Sequence, residues 1–417
     1  MNNNKISRED RKCIFIKVLI IFILFKISII NKFIIINQNY ILFNPKKYSF
    51  INNIEKTFVF RNLYTELKDI QNYVNDIFHG ILLDKDVKIY KNYNPKISIV
   101  ITIYNGEAYL KTALLSIQNQ NFKDIEIVMV DDCSKDNSIG LIKKLMRTDP
   151  RIVLYKNKEN KGMLYTKTKG ILLSKGKYVM LLDEDDVLVP RNAFTTLYNE
   201  AVKYDLDILR FGILMSTPKI NIIKANTTKP EPPIIFQPEL SKLMYRYDSN
   251  GKIKQYDGIL ANLFVKKSIY LKAIKQIDKK YLNAKINFND DFFVFYKLTK
   301  IAYNFKDIDR YFYIVLLKWN RTEPKIRFRM EEKIKNRHNL RCFAFLNYIE
   351  FILKNTDDSF YDKKFAFFTL NNLLLKTFCR NNTMNKDKSR IILNLFLENK
   401  YILEEDKKKI KKFLKEM

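Results

Sequence analysis

The sequence predicts an α/β domain built on a mostly parallel, Rossmann-like sheet flanked by helices, and three observations carry that expectation. Between 96 and 212, short β-rich runs alternate with helical stretches, the pattern of successive βαβ crossovers. The run Tyr178, Val179, Met180, Leu181, Leu182 is apolar at every position, as a parallel strand buried on both faces requires. The acids Asp183, Glu184, Asp185 and Asp186 follow it directly, at the carboxyl edge where open α/β sheets bind ligands.

The elements are expected in the following order. A strand over 97–103 leads through Asn105 and Gly106 into a helix over 107–118. A second strand, 125–130, ends in Asp131 and Asp132, and a helix over 136–146 and a strand over 151–155 come next. The helix 164–173 exits through Lys175 and Gly176 into the Tyr178 strand. Past Pro190 the pattern gives a helix over 192–203 and a short strand over 207–211. Periodicity weakens after Gly212, where 268–277 and 291–298 read as helices and the Pro-containing stretch 227–233 as a stiff surface connection. Before the domain, 63–78 reads as a helix with an apolar stripe, and 404–417 reads as an exposed terminal helix.

A chain of 417 residues exceeds the usual size of one domain. Its divisions are expected as a tail and hydrophobic helix (1–40), a stem (41–95), a ligand-binding half (96–212), a second part (213–325) and a helical C-terminal region (326–417). The formal charge of +30 suggests nucleic acid or an acidic membrane surface. Its lysines are spread along the whole chain, however, without a zinc-finger spacing, Arg-rich block or basic tail, so specific nucleic-acid recognition is not expected. Cys13, Cys133, Cys342 and Cys379 form no CxxC pair, and His79 and His338 supply no histidine metal cluster or conventional Ser-His-Asp triad. Any metal should therefore be held by carboxylates.

The amino end is apolar from Cys13 to Ile36, broken by Lys17, Lys26, Asn31 and Lys32. Lys17 and Lys26 lie on opposite sides of a helix, about 180° apart at the 3.6-residue period, which disfavours a surface-lying amphipathic helix. The run is long enough for a bilayer, which needs about 20 residues, with both lysines snorkelling outward. The expectation is an uncleaved signal anchor and a single-pass protein of the endomembrane system with its catalytic part lumenal. A cytosolic, membrane-associated placement and a buried apolar segment are the alternatives. Basic residues Lys5, Arg8, Arg11 and Lys12 set the orientation, and sequons begin at Asn226, Asn320 and Asn381.

Three acidic clusters stand where separate elements can bring them together: Asp131 and Asp132, then Asp183, Asp185 and Asp186, then Asp290 and Asp291. Asp132 is expected to accept hydrogen bonds from a base or ribose. Asp183 and Asp185 are expected to hold Mg²⁺ or Mn²⁺ against a diphosphate, where the metal stabilises a leaving group that gains charge. Asp291 is the candidate general base toward an acceptor hydroxyl, with Asp290 beside it. A carboxylate of ordinary pKa about 3.9 is a weak base for a free hydroxyl, so proton transfer must accompany bond formation. Each of these two acids is equally an ordinary helix cap on the residues alone.

With these residues in place, the chain resembles the family 2 glycosyltransferases of GT-A fold. The opening ISIVITIYNGEAYLKTALLSIQNQ, the segment VMVDDCSKDNS, the stretch NKGMLYTKTKG and the strand end LLDEDD match the family's motifs in order. The resemblance implies transfer of a sugar, with inversion, from a nucleotide-diphosphate donor, uridine-linked as a rule, to a hydroxyl of a glycan, lipid or protein, with Mn²⁺ or Mg²⁺. It places Tyr104 and Glu107 near the donor, Asp132 at the base, Lys167 at the diphosphate, Asp183 at ribose or phosphate, and Asp185 at metal. The acid pair in FNDDFF supplies the base, Asp291. Lys167 and Thr168 stand where the family commonly has Arg and Asn, and the family's later acceptor-side motif is represented by Tyr311, Tyr313 and Trp319. The competing reading is an inactive glycan- or nucleotide-sugar-binding relative. A nucleotidyltransferase ranks below both, because no Gly-rich triphosphate loop follows the first strand.

Overall fold

The computed structural model describes residues 94–216, 233–240 and 259–316 without interruption, with shorter pieces at 222–225, 245–247, 253–256 and 404–416 and single positions within 70–77, 343–355 and 390–398. Its first half follows the predicted alternation. In chain order come β1 (Ile97–Ile103), α1 (Leu110–Gln118), β2 (Ile125–Asp131), α2 (Ser138–Met146), β3 (Ile152–Lys156), α3 (Met163–Leu173) and β4 (Tyr178–Asp183). The four strands are parallel in the spatial order β3-β2-β1-β4, with Ile97 opposite both Ile125 and Tyr178.

The two-residue repeat of a strand divides the apolar residues of these runs between two cores. Ile97, Ile99, Ile101 and Ile103 of β1 enter one core, shared with Tyr178, Met180 and Leu182 of β4. Val100 of β1 and Val179 and Leu181 of β4 enter the core on the opposite face. Both faces are covered, so a polar residue at any of these positions would lose its hydration, and each buried Ile, Val or Leu adds about 1.5–3 kcal/mol.

Beyond β4 the chain continues with β5 (Val187–Leu188), α4 (Ala193–Lys203), β6 (Ile208–Ser216), β7 (Ile222–Ala225), β8 (Ile235–Phe236), β9 (Tyr245–Tyr247), β10 (Ile253–Tyr256), β11 (Leu263–Lys266), α5 (Lys267–Lys275), α6 (Lys279–Leu282), α7 (Asp291–Ile301), β12 (Asn304–Leu316) and α8 (Glu404–Glu416). Here the expectation of a mostly parallel sheet is corrected. β11 lies between β4 and β6 and runs antiparallel to both, β5 and β8 run antiparallel to β12, and β7 runs antiparallel to β6, while β6 and β12 are parallel. Reversed neighbours need no crossover helix, and a strand as short as Leu263–Lys266 leaves too brief an apolar signature to be read ahead of α5. β12 escaped the sequence reading because Lys306, Asp307, Asp309 and Arg310 interrupt its apolar pattern, and its register with β6 shifts on either side of Tyr311.

The signal-anchor and single-pass placement is also corrected. Among the described residues no helix is long and apolar enough to cross a membrane. The run 13–36 that prompted the expectation lies outside them, as do the sequons, Trp319 and residues 227–232.

Candidate active site

The carboxyl ends of β1 and β2 carry two loops that are fastened to each other. The Asn105 amide donates to Ser134 Oγ at 3.0 Å, the Gly106 amide to Ser138 Oγ at 3.0 Å and the Glu107 amide to Asp136 Oδ2 at 3.0 Å. In return the Lys135 amide donates to Asn105 Oδ1 at 2.8 Å and the Asn137 amide to Glu107 Oε2 at 3.1 Å. Asn105 has φ of 57°, a conformation asparagine tolerates better than most residues. Tyr104 and Glu107 are exposed on this shelf. Gly106 lets the two loops approach closely, since a Cβ there would fall 2.8 Å from Glu184 Cγ and displace that side chain in the acid turn after β4.

Asp132, at the end of β2, is buried and already engaged. Its carboxylate accepts from Asn157 Nδ2 at 2.8 Å, from the Lys161 amide at 2.8 Å and from the Gly162 amide at 2.9 Å. A carboxylate has about four acceptor positions, so these three bonds use most of its capacity in shaping the loop into α3. That loop reaches α3 through Gly162, whose φ of 86° suits glycine and whose missing Cβ would otherwise lie 2.8 Å from the Lys285 carbonyl carbon. The first amides of α3 are then capped from a distant segment. Met163 N–H donates to Asn287 Oδ1 at 3.1 Å and Leu164 N–H to the Ile286 carbonyl at 3.1 Å.

This capping brings the start of α7 alongside α3, and there both acids of the third predicted cluster meet one lysine. Lys167 Nζ donates to Asp291 Oδ1 at 2.7 Å and lies 2.9 Å from Asp290 Oδ2. The second contact is an ion pair out of line for a hydrogen bond, and no donor reaches Asp290 Oδ2 in hydrogen-bond geometry. Asp291 Oδ2 accepts from the Leu260 amide at 3.1 Å. Burial by itself would favour the neutral amine of Lys167, yet the charges of Asp290, Asp291 and Asp183 outweigh it and hold the lysine well above its usual pKa. Burial pushes the Asp290 carboxyl up to about 7 against the pull of Lys167, with the Asp291 charge adding to the rise. Of the two acids, Asp290 is therefore the one whose protonated form the fold favours. Asp290 occupies the residue before α7 without capping it through its side chain, so the ordinary-cap reading does not describe it.

The acid turn after β4 divides its residues. Asp183, Glu184 and Asp185 are partly exposed, whereas Asp186 is buried. Asp186 Oδ2 accepts from the Tyr313 hydroxyl at 2.8 Å and Oδ1 from the Leu316 amide at 3.0 Å. Burial, then the charges of Asp183 and Asp185, raises its carboxyl well above the usual range. The expected manganese or magnesium centre is corrected on this point. Among the described residues no group of three or more His, Cys, Asp or Glu side chains is placed to hold a metal ion. The physical reason is visible in the partners: Asp186 is turned toward β12, and Lys167 supplies the positive charge that makes Asp290 and Asp291 compatible as neighbours. Of the aromatics expected on the acceptor side, Tyr311 and Tyr313 are buried.

Residues 98–268 match the family model described as "Glycosyl transferase family 2". That segment is a family 2 glycosyltransferase domain. Over 94 residues the chain is 36% identical to an uncharacterized glycosyltransferase of Haemophilus influenzae, covering 22% of this chain and 38% of the relative. Over 108 residues it is 37% identical to the GalNAc(5)-diNAcBac-PP-undecaprenol beta-1,3-glucosyltransferase of Campylobacter jejuni, covering 26% and 35%. The alignments thus span under two fifths of these curated relatives. Among solved structures, S. aureus TarS 1–349 in complex with UDP-GlcNAc aligns over 75% of this chain and 82% of that one, at 14% identity and a TM-score of 0.48.

The family 2 match holds Tyr104, Glu107, Asp132, Lys167, Asp183 and Asp185 and stops short of Asp290, Asp291 and Tyr313. Two participants in the domain's site are not visible in the sequence, Asn287, which caps α3, and the Leu260 amide, which holds Asp291, while Tyr313, expected on the acceptor side, lies beneath the acid turn. Asn287 lies three positions before Asp290 and was legible as a polar residue near the pair, but nothing in the sequence linked it to Met163. Thr168 stands where the family commonly has an amide, and its hydroxyl donates back to the Leu164 and Tyr165 carbonyls of its own helix.

Proposed function

We propose that the chain transfers a sugar from a nucleotide-diphosphate donor to a hydroxyl of a glycan or lipid-linked glycan, with Asp291 as general base and inversion at the anomeric carbon. The observation that carries this reading is Asp291 itself. It is a partly exposed carboxylate fixed by Lys167 and the Leu260 amide at the entrance of α7, with Asp183 at the end of β4 near enough to contribute to the charge on that lysine.

In the proposed step the acceptor oxygen forms its bond to the anomeric carbon as the bond to the diphosphate oxygen breaks, and the hydroxyl proton passes to Asp291. Proton transfer accompanies bond formation, because a carboxylate that donates electron density to a lysine is a weak base toward a free alcohol. The leaving diphosphate takes the bonding electrons. Lys167 serves by offsetting the charge of the acid pair, while burial raises the Asp290 carboxyl toward its protonated form. Tyr104 and the shelf formed with residues 133–138 are assigned to the nucleotide, with uridine as the base the resemblance implies. A divalent cation that arrives with a diphosphate needs about one or two protein carboxylates, the rest of its shell being phosphate oxygens and water. Asp183 and Asp185 fit that smaller demand, and the cation would supply charge stabilisation to the leaving group.

The test is a donor-hydrolysis and transfer screen over a panel of nucleotide sugars, with a divalent cation and with chelator. It compares the intact chain with Asp185→Ala and Asp291→Asn. One donor should be cleaved by the intact chain, cleavage should fall at least 100-fold in Asp185→Ala, and transfer should be lost in Asp291→Asn with donor binding retained. Donor binding without turnover would favour the inactive-relative reading, and no binding of any nucleotide sugar would overturn the proposal.

A further inference from the structure

The acid turn places four acidic side chains in succession on a short connection between β4 and β5, and their mutual repulsion should open it unless something fastens it. The fastening comes from β12. Strand β5 is paired to it through Leu188 opposite Tyr313 and Val187 opposite Ile314, and the Val189 amide donates to the Phe312 carbonyl at 3.0 Å. Within the turn the Asp186 amide donates to the Asp183 carbonyl at 3.2 Å. Beneath it lies the fully buried Tyr313, whose hydroxyl accepts from the Asp183 amide at 3.1 Å and donates to Asp186 Oδ2 at 2.8 Å. Asp186 Oδ1 then accepts from the Leu316 amide at 3.0 Å. Two donor paths thus end on the Asp186 carboxylate, one from the Asp183 amide through the tyrosine hydroxyl and one from the Leu316 amide at the end of β12.

We infer that Tyr313 and Asp186 act together as positioning residues that fix where Asp183 and Asp185 present their carboxylates. A phenylalanine would fill the same core volume, so packing does not require the hydroxyl. Its burial among acids is tolerated because both of its hydrogen-bonding capacities are used. Asp186 is thereby removed from the donor face and serves as the anchor for its two neighbours. That these neighbours face a donor phosphate rests on the functional reading above; the clamp itself does not.

Two arms test the clamp in the full chain. In Tyr313→Phe, amide hydrogen exchange at Asp183 should accelerate at least tenfold, the worth of about one hydrogen bond, while the Leu316 amide keeps its protection. In Asp186→Asn, exchange should accelerate at both Asp183 and Leu316, which keeps the inference testable should either variant fold poorly. For the donor identified in the screen, Tyr313→Phe should lower kcat/KM about tenfold or more with the acceptor KM unchanged. The double variant should lose no more than about twofold beyond the worse single one, because both residues belong to one chain of bonds. Unchanged exchange at Asp183, or losses that multiply in the double variant, would overturn the inference. Should the intact chain use no donor, the functional reading falls and the exchange arm still decides the clamp.

Discussion

Replacing Asp290 by asparagine should remove a loss of stability that the protein otherwise suffers as pH rises toward neutrality. The Asp290 carboxyl is raised from 3.8 to about 7 in the fold, chiefly by burial, so the folded state binds its proton more tightly than the unfolded chain does. A group of this kind contributes stability that is fully present below 3.8 and is lost as pH climbs through about 7. At about 1.36 kcal/mol per unit the gap of about three units sets a ceiling of about 4 kcal/mol. Sharing of charge with Asp291 and Lys167 makes about 2 kcal/mol the expected size. The amide of Asp290→Asn carries no titrating proton. Urea unfolding of both proteins at intervals from pH 4.5 to 8 should therefore show the variant gaining about 2 kcal/mol relative to the parent across that range. Asp186, raised in the same direction, is common to both proteins and cancels in the difference. Parallel stability curves, or a variant that loses ground as pH rises, would refute a protonated Asp290 beside Lys167.

Two further perturbations probe the same region. Lys167→Met leaves the buried Asp290 and the partly exposed Asp291 without their cation and should cost about 3–5 kcal/mol at pH 8, with a smaller cost at pH 5 where Asp290 is more fully protonated. Lys167→Arg should recover more than half of that loss, and unfolding midpoints at the two pH values check both statements. Gly162→Ala forces a side chain into a left-handed backbone and against the Lys285 carbonyl carbon at 2.8 Å, so it should cost about 1–3 kcal/mol. Because that contact holds residues 285–287 over the start of α3, the same variant should accelerate amide exchange at Met163 and Leu164.

The extent to which the site was legible follows from how far apart its members lie in the chain. Asp183 and Asp185 could be placed at a sheet edge from sequence because the apolar run before them and the chain's reversal at the turn are local facts. The pairing of Lys167 with Asp291 joins residues 124 positions apart, and no local pattern encodes it. In the sequence carboxylates alone are visible as a cluster, so a divalent ion is the charge expected to reconcile them. Folding places a lysine from α3 between two of them and turns a third toward β12.

The amino-acid sequence by itself determined the parallel half of the sheet, because alternate residues of β1, β2 and β4 must satisfy two separate apolar cores and that demand is written into most of their positions. It also determined the family, through motifs confined to short segments. Only the tertiary structure decided the antiparallel insertion of β11, the long β12 and the distribution of charge among Asp186, Asp290, Asp291 and Lys167. Strand direction and ion pairing depend on which distant segments come into contact, and a carboxylate's protonation depends on the burial and neighbours that contact creates.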